Sequence, residues 1–330
     1  MRFILSIDTE GDNQWDYGRE LTTQNLRYIP RFQEFCDNFH IKPTYLVTSE
    51  VCQDGFAREI FRDYLLSFRA EVGAHLHSWT TPPFLGERGF RFNDSEHAYA
   101  SELPLQLLNN KIKFLTDQIH ESFGQRPQSF RSGRYGFNET VAGILIENSY
   151  LVDSSVTPYT DWSANKGISD LGGGPDFSGK TPVPFEYLSG ESKLLEIPVT
   201  IIPTKFPLNK STTLSQYYFK NVDNNLVLKG LRKFFYKDQP LWLRPFDWTT
   251  PGMFTEIVNE ALRLKLPYIV MMFHSSELMA GCSIYRKDKE SIEKLYDLLS
   301  VFFDYLAKIR IQSVTLTEAA KYFVSRDSNI

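Results

Sequence analysis

Apolar positions in this chain alternate between two patterns, short continuous runs and longer stretches at helical spacing. Phe3 to Ile7 is a β-rich run that stops at Asp8-Thr9-Glu10-Gly11-Asp12. Leu26, Ile29, Phe32, Phe35 and Cys36 recur every three or four residues and predict a helix over 25–40. Pro43 restarts the chain into a second strand, Thr44 to Thr48, and Ile60, Tyr64, Leu65 and Phe68 mark a helix over 59–68. Glu71-Val72-Gly73-Ala74-His75-Leu76-His77-Ser78-Trp79 reads as a third, buried strand. A long loop is expected over 80–100, where periodicity fails, and a strong helix over 103–123, closed by Gly124 and Pro127. Further strands are expected at 128–131, 150–154, 195–199, 241–245, 268–273 and 313–316. Helices are expected at 140–148, 213–235, 253–264 and 287–309, with one more at the C-terminus, and 157–192 reads as loop.

Strands and helices that alternate over the whole length predict a parallel α/β fold. Several strands end in polar residues: Asp8, Thr48, His77, Arg131, Asp153, Arg244 and His274. Polar strand ends gathered at one mouth are what a (β/α) barrel presents. No linker and no fixed-period repeat divides the chain, so a single domain with long loop insertions is expected. The Gly172-Gly173-Gly174 run has neither the GxGxxG nor the GK[ST] spacing of a nucleotide loop.

The candidate chemistry lies at these strand ends. Strand side chains alternate faces, so His75 and His77 project together, and paired neutral imidazoles make half of a divalent-metal site. Asp8 and Glu10 are also two apart, which allows one to act as a ligand and one as a base. Arg131 and Arg134 bring positive charge that would lower and orient a carboxylate's pKa. Composition adds exclusions. A net charge of −4 argues against nucleic acid as a partner. Cys36, Cys52 and Cys282 have no CxxC spacing and read as free thiols. With no signal-peptide pattern and no apolar run long enough to span a membrane, a cytoplasmic protein is expected.

Five stretches together resemble the polysaccharide deacetylases, the NodB-homology or carbohydrate esterase family four enzymes, and within them the WalW-like branch. They are Ser6 to Asp12, Glu71 to Trp79, Phe130 to Gly136, Val152 to Val156 and Phe273 to Glu277, in the family's order. The resemblance implies a distorted (β/α) barrel of seven or eight strands. It also implies removal of an acetyl group from a sugar with the help of a divalent metal, usually zinc. Residue by residue, Asp8 matches the catalytic base, Glu10 (with Asp12 in reserve) the acidic metal ligand and His75 the first metal histidine. Arg131 matches the arginine that braces the base, and His274 the general acid.

Two positions depart from the family pattern. Its second histidine stands four residues after the first, where this chain has Trp79, so His77 takes that role. Its paired acidic residues are adjacent, whereas Thr9 separates Asp8 from Glu10. The expected site is therefore Asp8, Arg131 and His274 for catalysis and Glu10, His75 and His77 for metal. The Tyr135 backbone N–H is a candidate oxyanion donor. Trp79, Arg134, Tyr135 and Trp248 are expected to contact an acetylated sugar, N-acetyl before O-acetyl, from cell-surface or lipopolysaccharide biosynthesis. Two other readings stay open: an amidohydrolase-type metal hydrolase, and a sugar-binding relative without catalysis. A two-carboxylate glycosidase does not fit, because Asp8 and Glu10 are too close in sequence to flank a glycosidic bond.

Overall fold

A computed structural model describes residues 1–12, 21–84, 98–166, 172–235 and 239–327. In chain order the elements are β1 (Arg2–Thr9), α1 (Ile29–Asn38), β2 (Pro43–Val47), α2 (Ser49–Gln53), α3 (Gly55–Leu66), β3 (Glu71–Leu76) and α4 (Leu105–Phe123). There follow β4 (Ser129–Ser132), α5 (Glu139–Glu147), β5 (Val152–Asp153), β6 (Phe185–Ser189), β7 (Ser192–Glu196) and β8 (Ile201–Ile202). The chain ends with α6 (Thr212–Asn221), α7 (Leu226–Phe235), β9 (Leu241–Trp242), α8 (Pro251–Arg263), β10 (Tyr268–His274), α9 (Lys289–Lys308) and α10 (Leu316–Asp327).

Eight strands form one curled half-barrel sheet in the order β10-β1-β2-β3-β4-β5-β7-β6. All neighbours are parallel except the β6–β7 hairpin. This is the expected distorted barrel, and the period-two alternation of its strands sorts side chains between two layers. Phe3, Leu5 and Ile7 of β1 face outward into the core shared with the helices. Ile4 faces inward with Leu46, Val152, Leu195, Tyr268 and Val270 and plugs the barrel floor. Each fully buried side chain of this size contributes roughly 1.5–3 kcal/mol relative to exposure. Above the floor the inward positions turn polar. Ser6 and Arg131 form the next layer, and Asp8, His75 and His274 stand at the mouth, where Asp8 is in register with His274. Gly73 lies on this inward face because a Cβ there would run into Leu46 and Ser129.

Four expectations change. The predicted loop over 157–192 contains β6, an edge strand whose Glu186 and Ser189 hide its alternation; the hairpin turns at Gly190 (φ 60°). The predicted strand over 241–245 shrinks to β9, which pairs with β8 outside the main sheet. The predicted strand over 313–316 is a single bridge from Ser313 to Phe3, and α10 begins at Leu316. The predicted helix over 213–235 divides into α6 and α7 around Asp223-Asn224-Asn225, residues whose side chains favour turns. Residues 85–97 of the predicted loop over 80–100 lie outside the described residues.

Asp153 and Glu196 sit side by side on β5 and β7, both fully buried. Burial raises both carboxyls above their usual values; Asp153 raises Glu196 further, whereas the hydrogen bond from Glu196 works downward on Asp153. A carboxyl with a raised folded pKa stabilises the fold at low pH, and that contribution is lost as pH rises through the folded value. Glu196→Gln supplies a permanent donor to Asp153. Its melting temperature is expected to exceed that of wild type by about 2–4 °C at pH 8, with the gap closing at pH 4–5. Thermal melts across pH check this; a less stable variant at pH 8 would contradict it.

Candidate active site

The parallel strand order delivers the polar strand ends to one mouth. Asp8 is buried, and its Oδ1 accepts a hydrogen bond from Arg131 Nη1 at 2.5 Å. Arg131 is itself fully buried. Its Nε donates to the Ser154 carbonyl at 2.7 Å, and its Nη2 donates to Ser6 Oγ at 2.9 Å and to Ser154 Oγ at 3.1 Å. Burial alone would raise the Asp8 carboxyl, but Arg131, with smaller help from His75 and His274, brings it down to about 2. Asp8 is thus an anion with a second oxygen, Oδ2, free to face the cavity 3.9 Å from His75 Nε2.

Glu10, His75 and His77 converge beside it. Their candidate ligand atoms all lie within 4.8 Å of one another. Glu10 Oε2 is 3.1 Å from His77 Nε2 and 3.9 Å from His75 Nε2. Burial pushes both imidazoles down to about 4, so both are neutral near pH 7 and present lone pairs. His75 Nδ1 lies 3.0 Å from the Arg131 carbonyl, which can only accept, so Nδ1 carries the proton and Nε2 is left unprotonated. Trp79 is 1 % exposed and stacks on the His77 ring (centroids 4.4 Å apart, planes at 19°). Gly133 backs the same ring; a Cβ there would come within 2.5 Å of His77 Cδ2.

Among the described residues, both Glu10 carboxylate oxygens are buried without a hydrogen-bond partner, and burial raises the carboxyl's pKa. A buried carboxylate left so is costly, and a divalent cation would satisfy it. One carboxylate and two neutral imidazoles form the donor set of an open zinc-type site, so the residues fit such an ion. Asp12 is not available as the reserve ligand. It accepts from Thr22 Oγ1, Gln24 N and Asn25 N at 2.7 Å each, and so pins the chain after β1.

His274 faces this group from β10. Its Nδ1 is 3.5 Å from Glu277 Oε1 and 3.1 Å from Arg244 Nη2, and Arg244 Nη2 donates to Glu277 Oε1 at 2.8 Å. Burial alone would lower His274, but Glu10 and the Glu277 bond outweigh it and raise its pKa. Burial alone would raise Glu277, but Arg244 and His274 hold it below the usual carboxylate value. The sequence offered Arg244 only as a polar strand end, and Glu277 no role at all. Glu277→Gln removes a negative charge that lifts His274. The pKa of His274, read by NMR titration, is therefore expected to be lower in this variant than in wild type. A His274 titration that the substitution leaves unmoved would contradict this.

The mouth opens into a cavity of about 800 Å³. Asp8, Glu10, His75, His77 and His274 line it together with an aromatic wall of Tyr99, Tyr135, Trp162, Trp242, Phe246 and Tyr285. Arg134 and Tyr135, two of the four residues expected to contact a sugar, line this cavity, on a turn where both adopt left-handed φ values of 53° and 60°. Such values in non-glycine residues store strain of order 1–3 kcal/mol each, of a kind that collects at functional sites. Of the other two expected sugar contacts, Trp79 is placed behind His77, away from the cavity. Trp248 lies outside the lining, 60 % exposed and stacked on Phe246 (4.6 Å, 6°). Sequence reasoning missed Tyr99, Trp162, Trp242, Phe246 and Tyr285, whose spacing along the chain carries no common period.

No protein-family profile matches the chain, and no curated protein does. Solved structures match by shape. A polysaccharide-deacetylase candidate from Mycobacterium smegmatis is 13 % identical over 98 % of this chain and 91 % of its own, with a TM-score of 0.57. The 4-alpha-glucanotransferase of Thermococcus litoralis is 13 % identical over 97 % of this chain but only 40 % of its own, at 0.54. Puue allantoinase is 13 % identical over 98 % of this chain and 89 % of its own, at 0.50. At such identities the likeness is one of fold, and the three bear different activities. The chemistry therefore has to be argued from the residues at the mouth.

Proposed function

We propose that this protein is a divalent-metal-dependent deacetylase that hydrolyses the N-acetyl group of a sugar or glycan precursor, in keeping with a role in cell-surface or lipopolysaccharide biosynthesis. One observation carries the reading. Asp8, held as an anion by buried Arg131, stands next to a Glu10–His75–His77 cluster whose carboxylate has no other partner among the described residues. The same orphaned carboxylate opposes a non-catalytic role, since a sugar-binding relative would gain nothing from keeping it buried.

Glu10, His75 and His77 would hold the cation, and when bound it supplies Lewis acidity toward the acetyl carbonyl and the attacking water. Asp8 accepts the proton that water gives up as its oxygen adds to the carbonyl carbon. Arg131 keeps Asp8 ionised and fixes its orientation. His274, raised toward its imidazolium form, delivers a proton to the amine nitrogen as the C–N bond breaks, leaving acetate and a free amino sugar. The aromatic wall offers faces against which pyranose rings pack, and the cavity volume suits one or two sugar units.

Acetate release from N-acetylated amino sugars, measured with zinc-loaded protein, tests the proposal. A chelator should abolish the release and added metal should restore it. Loaded protein that releases no acetate from any acetylated amino sugar or ester would overturn the reading.

A further inference from the structure

Between Pro203 and Pro240 the chain carries six lysines and one arginine against two aspartates, a net charge of +5 in a chain whose overall charge is −4. This stretch leaves the barrel and builds α6 and α7. Among the described residues, Leu208, Tyr218 and Val222 form a core of its own, with Phe219 and Leu228 packed against them. Five further large apolar side chains among the described residues point to solvent. Phe206 is 71 % exposed, Tyr217 59 %, Leu226 86 % and Val227 71 %, with Leu214 also exposed. Leu214 and Tyr217 are three apart in α6 and share a face. Lys210, Lys220 and Lys229 are exposed among them, while Arg232 pairs with Asp223 at 2.8 Å.

Aliphatic residues held in water at such exposure, rimmed by cations, mark an interaction surface. The chemistry selects among partners. Leucine and valine give a nucleic-acid backbone nothing, whereas they suit the boundary between lipid headgroups and acyl chains. Lysine stems reach from that depth to anionic headgroups. Among the described residues no helix is long and apolar enough to cross a membrane, so the contact is peripheral.

We propose that the α6–α7 segment docks this protein on an anionic lipid bilayer through Leu226, Val227, Leu214 and Tyr217, with Lys220 and Lys229 facing the headgroups. The same segment walls a second cavity of about 330 Å³ through Tyr218, Phe219, Val222 and Arg232, and Trp242 lines both this cavity and the reaction cavity. The docking segment therefore adjoins the reaction cavity through Trp242. Given the deacetylase reading, on which this clause alone rests, the substrate is an acetylated glycan carried on a lipid.

The test is sedimentation of the full chain with vesicles of phosphatidylcholine alone or with about 30 mol% phosphatidylglycerol. The expected result is binding to the anionic vesicles only, weakened by salt. Leu226→Glu/Val227→Glu and, separately, Lys220→Glu/Lys229→Glu should each weaken it by at least about tenfold. Near-UV circular dichroism establishes that each variant is folded, and the exposed lysine pair carries the test if the apolar pair is not. Failure to bind anionic vesicles, or binding untouched in the folded variants, overturns the proposal. So does a dimer that Leu226→Glu/Val227→Glu dissolves without any vesicle binding, since the patch would then belong to a second copy. Vesicle binding requires no turnover, so this outcome is independent of the acetate-release assay.

Discussion

Asp8→Asn is expected to lower kcat by about 10²–10⁴-fold, the size of a lost general base, while the protein still binds its metal. The amide keeps the shape of the carboxylate and can still accept from Arg131, so the barrel layer around Ser6 and Arg131 survives. What it lacks is the charge that takes water's proton. Alanine is the poorer choice. It would strip the buried guanidinium of its ion-pair partner, and breaking a buried pair from one side costs about 3–5 kcal/mol. Steady-state kinetics with metal content measured on the same sample reads both quantities. A rate within tenfold of wild type would remove Asp8 from the base role. Loss of metal in Asp8→Asn would make it a ligand instead.

Glu10→Gln has the second large effect, and its two consequences run in opposite directions. Metal affinity should fall by more than the roughly 10–100-fold that follows removal of a ligand's hydrogen-bond partner, because a ligand itself is lost. Stability without metal should hold or rise. The wild-type carboxyl is buried with neither oxygen partnered among the described residues and its pKa raised, so its folded-state penalty grows as pH climbs through the folded value; a neutral amide escapes it. Added zinc should raise the wild-type melting temperature by mass action and leave that of Glu10→Gln unmoved. Calorimetric titration and paired melts with and without chelator check this. A variant that keeps wild-type zinc affinity, or that loses stability without metal, would contradict the assigned role of Glu10.

Much of this site was legible because strand periodicity is a strong constraint. Once Ser6, Asp8 and Glu10 share a face, as do His75 and His77, a parallel sheet has to bring them to one mouth. Arg131 followed for the same reason, one strand further on. The unread parts depend on contacts with no local pattern. Arg244 reaches His274 and Glu277 from a segment that pairs outside the main sheet, thirty or more residues away. Asp12 looked like a ligand from spacing, yet its oxygens accept from the Thr22 hydroxyl and the Gln24 and Asn25 backbone N–H groups, contacts that only the folded turn reveals. Trp79 is buried with its indole stacked on His77, a contact that spacing along the strand does not reveal. The exposed apolar face of α6 and α7 was likewise hidden, since helical spacing predicts an amphipathic stretch but not which face the barrel leaves uncovered.

The most direct test of the whole account is anomalous diffraction from a crystal of the protein soaked in zinc. The account predicts one peak at roughly 2.0–2.3 Å from a Glu10 carboxylate oxygen and from Nε2 of both His75 and His77, with Asp8 beside it but still bonded to Arg131. A saturating soak that leaves these three side chains without a peak, or that places the ion elsewhere, would contradict it.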